Sequence, residues 1–383
     1  MDKIKILNIV GTRPEAIKMA PLVQLLQRTA AVESVLCLTA QHREMLDQVL
    51  SLFKLKSDYD LDIMQKNQSL TYITAAALEK LEGVVSAEKP HMVLVQGDTT
   101  TTMAGSLAAF YHQIPVGHVE AGLRTGDKYA PFPEEMNRRV NSVIAELHFA
   151  PTAEAKSNLL REGIPENTIY ITGNTVIDAL KTTVQESFSF PDPRLRGLDF
   201  QRHRVLLVEA HRRENLGAPM ESICLALLDL LQAYPDTLVV FPVHKNPAVR
   251  EVVFKHLDNH ERVILLEPLD PLSFHNLMAR VHFVLSDSGG IQEEAPALGK
   301  PVLVLRRVTE RPEALEAGTA LLVGTRREII FDQASRLLDE PAVYKAMARA
   351  SNPYGDGEAS RRILQLILYY FGKTPDPPEP FIP

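Results

Sequence analysis

The sequence predicts an α/β protein of two domains, each a doubly wound parallel sheet with helices on both faces. Three observations carry that prediction. The chain has 383 residues, more than the roughly 100–200 of an ordinary domain. Short β-branched apolar runs alternate with longer amphipathic stretches, the pattern of parallel strands buried on both faces and joined by right-handed helical crossovers. The alternation then restarts at Val205, after a polar, proline-containing insert from Ser189 to His203.

In the first series the expected strands are Ile4–Val10, Val32–Thr39, Met92–Gln96 and Ile114–Val119, each a nearly continuous apolar run. Helical periodicity covers Glu15–Thr29, Leu70–Glu88 and Thr99–His112 between them. The turn-rich Thr172-Gly173-Asn174-Thr175 closes this series, placing the first domain at residues 1–172. The second domain, 173–357, is expected to hold strands Val205–Glu209, Leu238–Phe241, Val263–Leu266, Phe283–Ser286 and Pro301–Leu305, with a helix at Met220–Tyr234. A last helix, 358–371, follows the Asn352–Gly357 turn. Residues 373–383 carry five prolines in eleven positions and read as a disordered or loosely packed tail.

Composition bounds the function. Hydrophobic residues make up 45% and charged residues 23%, a globular balance. No apolar run approaches the roughly 20 residues that cross a bilayer. The start, Met1-Asp2-Lys3-Ile4-Lys5, runs straight into a strand with no cleavable apolar stretch, so a cytoplasmic protein is expected. A formal charge of −7 argues against non-specific nucleic-acid binding, which needs basic surface. Cys37 and Cys224 lie in apolar settings far apart and read as buried, inert thiols suited to a reducing compartment. No His-Glu-x-x-His, Cys-x-x-Cys or close carboxylate array suggests a metal, and neither a nucleophile elbow nor a dinucleotide glycine fingerprint is present.

Open α/β sheets bind ligands beyond the carboxyl ends of their strands, and the polar motifs fall there. Gly11-Thr12-Arg13-Pro14-Glu15-Ala16-Ile17-Lys18 turns from strand to helix, with Arg13 and Lys18 able to set cations at a helix N-terminus that already favours anions. Gln96-Gly97-Asp98 ends another strand, where Asp98 suits helix capping and catalysis about equally. Glu120 directly follows a buried strand, an expensive place for a carboxylate unless it is paired or working. Glu134 and Glu135 open a helix after Pro131-Phe132-Pro133; dipole complementarity accounts for them, and Arg138, four residues on, is placed to pair with Glu134. In the second half, His211 follows a strand beside Arg212 and Arg213, and His244 lies in a second such loop. Asp287-Ser288-Gly289-Gly290-Ile291-Gln292-Glu293-Glu294 is the strongest local signal. Its two glycines at a helix start can cradle a phosphate through backbone N–H groups.

Taken together, Gly11–Pro21, Gly97–Thr101, Val119–Arg139, His211–Asn215, Asp287–Pro296 and Thr309-Glu310-Arg311-Pro312-Glu313 resemble the non-hydrolysing UDP-N-acetylglucosamine 2-epimerases, in the family's order and spacing from about Ile4 to Phe371. The resemblance implies a GT-B glycosyltransferase-like fold of two Rossmann-like domains with the active site in the cleft between them, the terminal helix returning to the first domain. It further implies a homodimer, no metal and no nicotinamide cofactor. The implied reaction interconverts UDP-GlcNAc and UDP-ManNAc through elimination of UDP to 2-acetamidoglucal and re-addition, supplying ManNAc units for cell-surface polysaccharide. Carried over by residue, Asp98, Glu120 and Glu134 would be catalytic carboxylates, with Arg138 positioning Glu134 and His211 acting at the diphosphate. Arg13, Lys18, Ser288, Gly289, Gly290 and Arg311 would hold the diphosphate and its surroundings. Glu294 would hold the ribose, with Leu269 and Phe274 near the uracil. Which carboxylate serves which face of C2 stays open.

Gln41, His42, Gln68, Arg212 and His244 match the pattern by which some members bind a second, activating UDP-GlcNAc. Glu44 and Asn67 depart from it, where glutamine and arginine are usual. Losing a cation and gaining an anion should weaken that activation. The competing readings are an epimerase of a modified UDP-sugar, a GT-B glycosyltransferase, a hydrolysing epimerase and a non-enzymatic nucleotide-sugar sensor.

Overall fold

The computed structural model describes residues 3–39, 43–65 and 68–383, the side chains of 43–45 excepted. The chain forms two compact units, Met1–Thr182 with Tyr354–Pro383, and Thr183–Pro353. The first holds strands β1 (Ile4–Val10), β2 (Val32–Leu38), β3 (Tyr59–Asp60), β4 (Met92–Gln96), β5 (Val116–Val119), β6 (Leu147–Ala150) and β7 (Ile169–Ile171). They pair in the order β3-β2-β1-β4-β5-β6-β7, all in parallel. The second unit holds β8 (Arg204–Glu209), β9 (Thr237–Pro242), β10 (Val263–Leu266), β11 (Phe283–Ser286), β12 (Val302–Val304) and β13 (Ala320–Leu322). Their order is β10-β9-β8-β11-β12-β13, again parallel.

Strand composition explains the burial. Met92-Val93-Leu94-Val95-Gln96 is buried at every position, as expected of a central parallel strand covered on both faces. One face of the first sheet packs with the helices Arg13–Arg28 and Ala359–Tyr370 around Met19, Leu22, Leu26, Ile363 and Ile367. The other carries Ile73, Ala77, Leu81, Ala104 and Ala108 from the helices Leu70–Glu88 and Thr100–Tyr111. In the second unit, the helix Ala218–Ala233 buries Ile223, Leu227 and Leu230 against Val208, Phe241 and Leu285.

Two expectations are corrected. The turn at Gly173 does not end the first unit: residues 173–182 stay with it, burying Ala179 in its core. Asp178 there accepts hydrogen bonds from Ala359 N and Ser360 N at 3.2 and 2.7 Å, supplying the start of the last helix with an acceptor. The proline-rich end is also seated. Phe381 is buried, its N–H donates to Ile171 O at 2.9 Å, and the Arg362 guanidinium lies 5.6 Å from its ring centroid. A single aromatic in a proline-stiffened segment anchors by burying its ring, because the prolines lower the entropy lost on ordering.

Candidate active site

In each sheet the strand order reverses once, between β1 and β4 and between β8 and β11, where open α/β sheets place their ligand crevice. The motif residues lie in the loops leaving these strands.

In the first unit, β1 runs into Gly11 and the helix beginning at Arg13. Glycine is required at position 11, because a Cβ there would stand 2.2 Å from Thr101 Oγ1. Glu15, buried, accepts hydrogen bonds from Gly11 N (3.1 Å) and Thr12 N (2.6 Å) through Oε2. Its Oε1 accepts from the hydroxyls of Thr99 (2.7 Å) and Thr102 (3.1 Å). One carboxylate thus ties the loop carrying Arg13 to the loop carrying Asp98. Burial pushes its pKa up, opposed by hydrogen bonds from Thr99, Thr12 and Thr102. Arg13 has no acidic partner among the described residues.

Asp98 follows Gly97, whose carbonyl receives a 2.7 Å hydrogen bond from His118 Nε2. Burial drives the His118 pKa down to about 3, so the imidazole is neutral and donates through Nε2. The Asp98 carboxylate is gripped by Arg138, Nε at 2.9 Å and Nη2 at 2.6 Å on the same oxygen. Asn137 Nδ2 donates to its carbonyl at 2.8 Å. Glu120, 8% exposed, has a φ of +63°. A non-glycine residue there costs on the order of 1–3 kcal/mol and persists where surrounding contacts over-determine it. Those contacts are Lys18 Nζ at 2.5 Å and a short hydrogen bond from Gln96 Nε2, both on Oε2.

The helix Glu134–Ile144 corrects one expectation: Arg138 pairs with Asp98 and, at 3.1 Å, with Glu135, not with Glu134. Glu135 faces inward, fully buried, and also accepts from Thr125 N and Gly126 N at 3.1 and 3.3 Å. Glu134 is half-buried in the first turn. The structure therefore brings together two charge-balanced pairs, Glu120 with Lys18 and Asp98 with Arg138, at the ends of adjacent strands.

In the second unit the tie is Asp287. It is fully buried and accepts from His211 N (3.0 Å), Arg212 N (2.9 Å) and Asn215 Nδ2 (2.8 Å), binding the loop after β8 to the end of β11. Burial raises its pKa. Ser288 caps the helix Gly289–Ala297 without a side-chain hydrogen bond to it, so the first-turn N–H groups, which no helix satisfies internally, remain as donors. Arg311 is held by Glu293 at 2.5 Å. Glu294 lies 3.6 Å from the buried His275, and Leu269 and Phe274 are half-buried. His211 stacks on His244, ring centroids 4.9 Å apart and planes within 14°.

Glu209, the last residue of β8, was not singled out from the sequence. Its Oε1 lies 2.7 Å from His211 Nδ1, and its Oε2 accepts from Ser286 Oγ at 2.9 Å. Glu209, His211 and Asp287 form the one group of potential metal ligands among the described residues. The Asp287 oxygens already serve three donors, so the group is a carboxylate–imidazole contact on a hydrogen-bonded base. Of the residues matched to an activating site, Gln41, His42 and Asn67 lie outside the described residues, as does the Glu44 side chain. Gln68 Oε1 accepts from Gln65 N at 3.1 Å, and the side chain of Arg212 lies 3.7 Å from Glu310.

Comparison with known proteins decides the family. The model of the UDP-N-acetylglucosamine 2-epimerase family matches residues 24–368. The chain belongs to that family. The UDP-N-acetylglucosamine 2-epimerase of Bacillus subtilis is 55% identical over 381 residues, covering 100% of this chain and 99% of that one. The Neisseria meningitidis UDP-GlcNAc 2-epimerase, solved bound to UDP-GlcNAc, is 50% identical with a TM-score of 0.86, over 96% of this chain and 100% of that one. The Methanocaldococcus jannaschii enzyme, solved with UDP-GlcNAc and UDP, is 33% identical with a TM-score of 0.78 over the same shares. As a UDP-GlcNAc 2-epimerase family member, the chain carries a GT-B-like pair of parallel-sheet units. Among its described residues, no helix is long and apolar enough to cross a membrane.

Proposed function

We propose that this protein interconverts UDP-GlcNAc and UDP-ManNAc by inverting the sugar at C2, with the carboxylates of the first unit acting on the sugar ring and the second unit holding the uridine. The observation that supports this most directly is the paired display of Asp98 with Arg138 and Glu120 with Lys18 at neighbouring strand ends. The C2 hydrogen is not acidic in the intact sugar. Weakening of the C1–O bond must therefore accompany its removal, building positive charge on the ring and negative charge on the departing diphosphate. Carboxylates stabilise the first and carry protons; cations and helix N–H groups stabilise the second.

The C2 proton passes to a carboxylate as UDP leaves C1, giving 2-acetamidoglucal. UDP then adds back to C1 while a proton is delivered to the opposite face of C2. Asp98, Glu120 and Glu134 are the carboxylates in this scheme, and His211 faces the diphosphate. Arg13, Lys18, Arg311, Ser288, Gly289 and Gly290 hold that group. Glu294 takes the ribose, and Leu269 with Phe274 the uracil.

The protein works as a homodimer in the cytoplasm. The apolar side chains of Phe110, Tyr111 and Tyr370 are 58%, 65% and 43% exposed on one face of the first unit and suit a second copy. The buried thiols of Cys37 and Cys224, both pushed up to about 12, suit a reducing compartment. Activation by a second UDP-GlcNAc, through Gln41, His42, Gln68, Arg212 and His244, is weak because of Glu44 and Asn67. Proton NMR of the protein with UDP-GlcNAc in D₂O tests the reaction. UDP-ManNAc carrying deuterium at C2 is expected; release of free ManNAc and UDP, or no change, would overturn it.

A further inference from the structure

Glu209 ends the strand Arg-Val-Leu-Leu-Val-Glu with a carboxylate whose side chain is only 20% exposed. Its one cationic neighbour among the described residues is His211. Asp287, fully buried, also points at that imidazole, 3.9 Å from Nδ1. Were His211 neutral, two carboxylates would face each other across it with no positive charge to separate them, an arrangement the low-dielectric interior penalises.

We propose that Glu209 is a positioning residue that holds His211 as an imidazolium, with Nε2–H turned outward as a charged donor to the diphosphate of the nucleotide sugar. The geometry supports each part. Nδ1 is occupied by the Glu209 contact, an ion pair rather than a linear hydrogen bond, while no described residue engages Nε2. Ser286 Oγ, donating to the far oxygen of Glu209, keeps the carboxylate aimed at the ring. Asp287 fixes the His211 backbone through its N–H, so the imidazole is set from both ends.

The charges around the ring are accounted for. Glu209 from β8 and Asp287 from the end of β11 favour the proton; Arg212, next in the chain, opposes it, and so does burial. The net effect is a His211 pKa above its ordinary value, with the Glu209 contact the largest cause. His244, stacked on the same ring from the loop after β9, is lowered by burial and by the His211 charge, so within the stack the proton is favoured on His211 and disfavoured on His244.

This deepens the proposed reaction and rests on it for the identity of the anion, but the charge state can be read without turnover. Histidine NMR of the whole chain, with His211→Asn to assign the resonance, gives the His211 midpoint. In Glu209→Gln that midpoint is expected to fall by a unit or more. UDP should bind about tenfold more weakly to this variant at pH 8 and nearly normally at pH 6, since acid restores the imidazolium. Ser286→Ala, which frees the far oxygen, should shift the midpoint in the same direction by less and keeps the test open if Glu209→Gln folds poorly. A midpoint unmoved in both variants, or UDP binding weakened equally at pH 6 and pH 8, overturns the proposal. Failure of the wild type to convert UDP-GlcNAc would refute the reaction and leave the titration result intact.

Discussion

The two units solve one problem with the same device and display opposite chemistry on it. In each, a buried carboxylate spans the strands where the sheet order reverses. Glu15 gathers two backbone N–H groups from the loop after β1 and two hydroxyls from the loop and helix start after β4. Asp287 gathers two N–H groups and an amide from the loop after β8. The first tie presents carboxylates balanced by cations, Glu120 with Lys18 and Asp98 with Arg138. The second presents an imidazole and the open N–H groups of a helix start. The same buried-acceptor device thus serves a proton-moving half and an anion-holding half, because it fixes backbone and leaves the side chains beyond it free to differ.

The largest effects should separate proton transfer from anion binding inside the first unit, which carries Arg13 as well as the carboxylates. Asp98→Asn and Glu120→Gln are expected to lower kcat by roughly 10²–10⁴ with little change in UDP affinity, since proton transfer contributes that much. Arg13→Ala should instead weaken UDP binding strongly. Steady-state rates with calorimetric UDP titrations measure both. Near-normal turnover in the first two variants would remove those carboxylates from the proton transfer, and unchanged UDP affinity in the third would remove Arg13 from the diphosphate.

Next in size is the seating of the tail, which the first unit has and the second lacks. Phe381→Ala removes a buried ring and should cost about 3 kcal/mol, at the low end for a phenylalanine core deletion because the segment is terminal. Denaturant unfolding monitored separately in each unit by hydrogen exchange would show the loss confined to the first. An equal loss in both would mean that the units unfold together.

The ties themselves come third. Glu15→Gln and Asp287→Asn each exchange an acceptor-only group for one that brings its own donors to amides already donating, at about 2 kcal/mol apiece. The two should differ in function. Glu15→Gln loosens the loops of Arg13 and Asp98 together and should lower both kcat and UDP affinity. Asp287→Asn loosens His211 and Arg212 and should act mainly on UDP affinity. Matching kinetic profiles for the two variants would remove the functional half of the comparison.

Much of this architecture is legible in the sequence, and the misses have physical reasons. Strands β1, β4, β10 and β11 end where the apolar runs end, because a strand covered on both faces shows its whole length as hydrophobicity. Strands β3, β6, β7 and β13 are two to four residues long and were not anticipated; β6 carries the buried His148 that interrupts its apolar signal. Within the site, helical spacing suggested Glu134 as the partner of Arg138, yet the guanidinium reaches the end of β4 instead, a tertiary neighbour that i, i+4 reasoning cannot see. Two residues had signals that were available. Thr12-Arg13-Pro14-Glu15 fits the Thr-x-x-Glu spacing of a capping box. The argument that marked Glu120, a carboxylate ending a buried strand, applies equally to Glu209.

The smallest effect sharpens the comparison through pH. His118 beneath the first site is neutral, its pKa down to about 3, whereas His211 in the second is shifted upward. A lowered imidazole contributes stability that is complete above the ordinary value near 6.5 and is lost as pH falls below it toward the folded value. A raised one contributes stability that is complete below about 6.5 and is lost as pH rises through the folded value. His275 and His282, each at about 4, follow the first pattern inside the second unit. Between pH 7 and 6 a group such as His118 changes stability by less than about 1 kcal/mol. Hydrogen exchange of β5 should therefore grow slightly less protected as pH falls over that interval, after correction for the intrinsic rate, while the loop 209–215 grows slightly more so. In Glu209→Gln the loop should lose its trend and β5 should keep it, because only the second site depends on holding a proton.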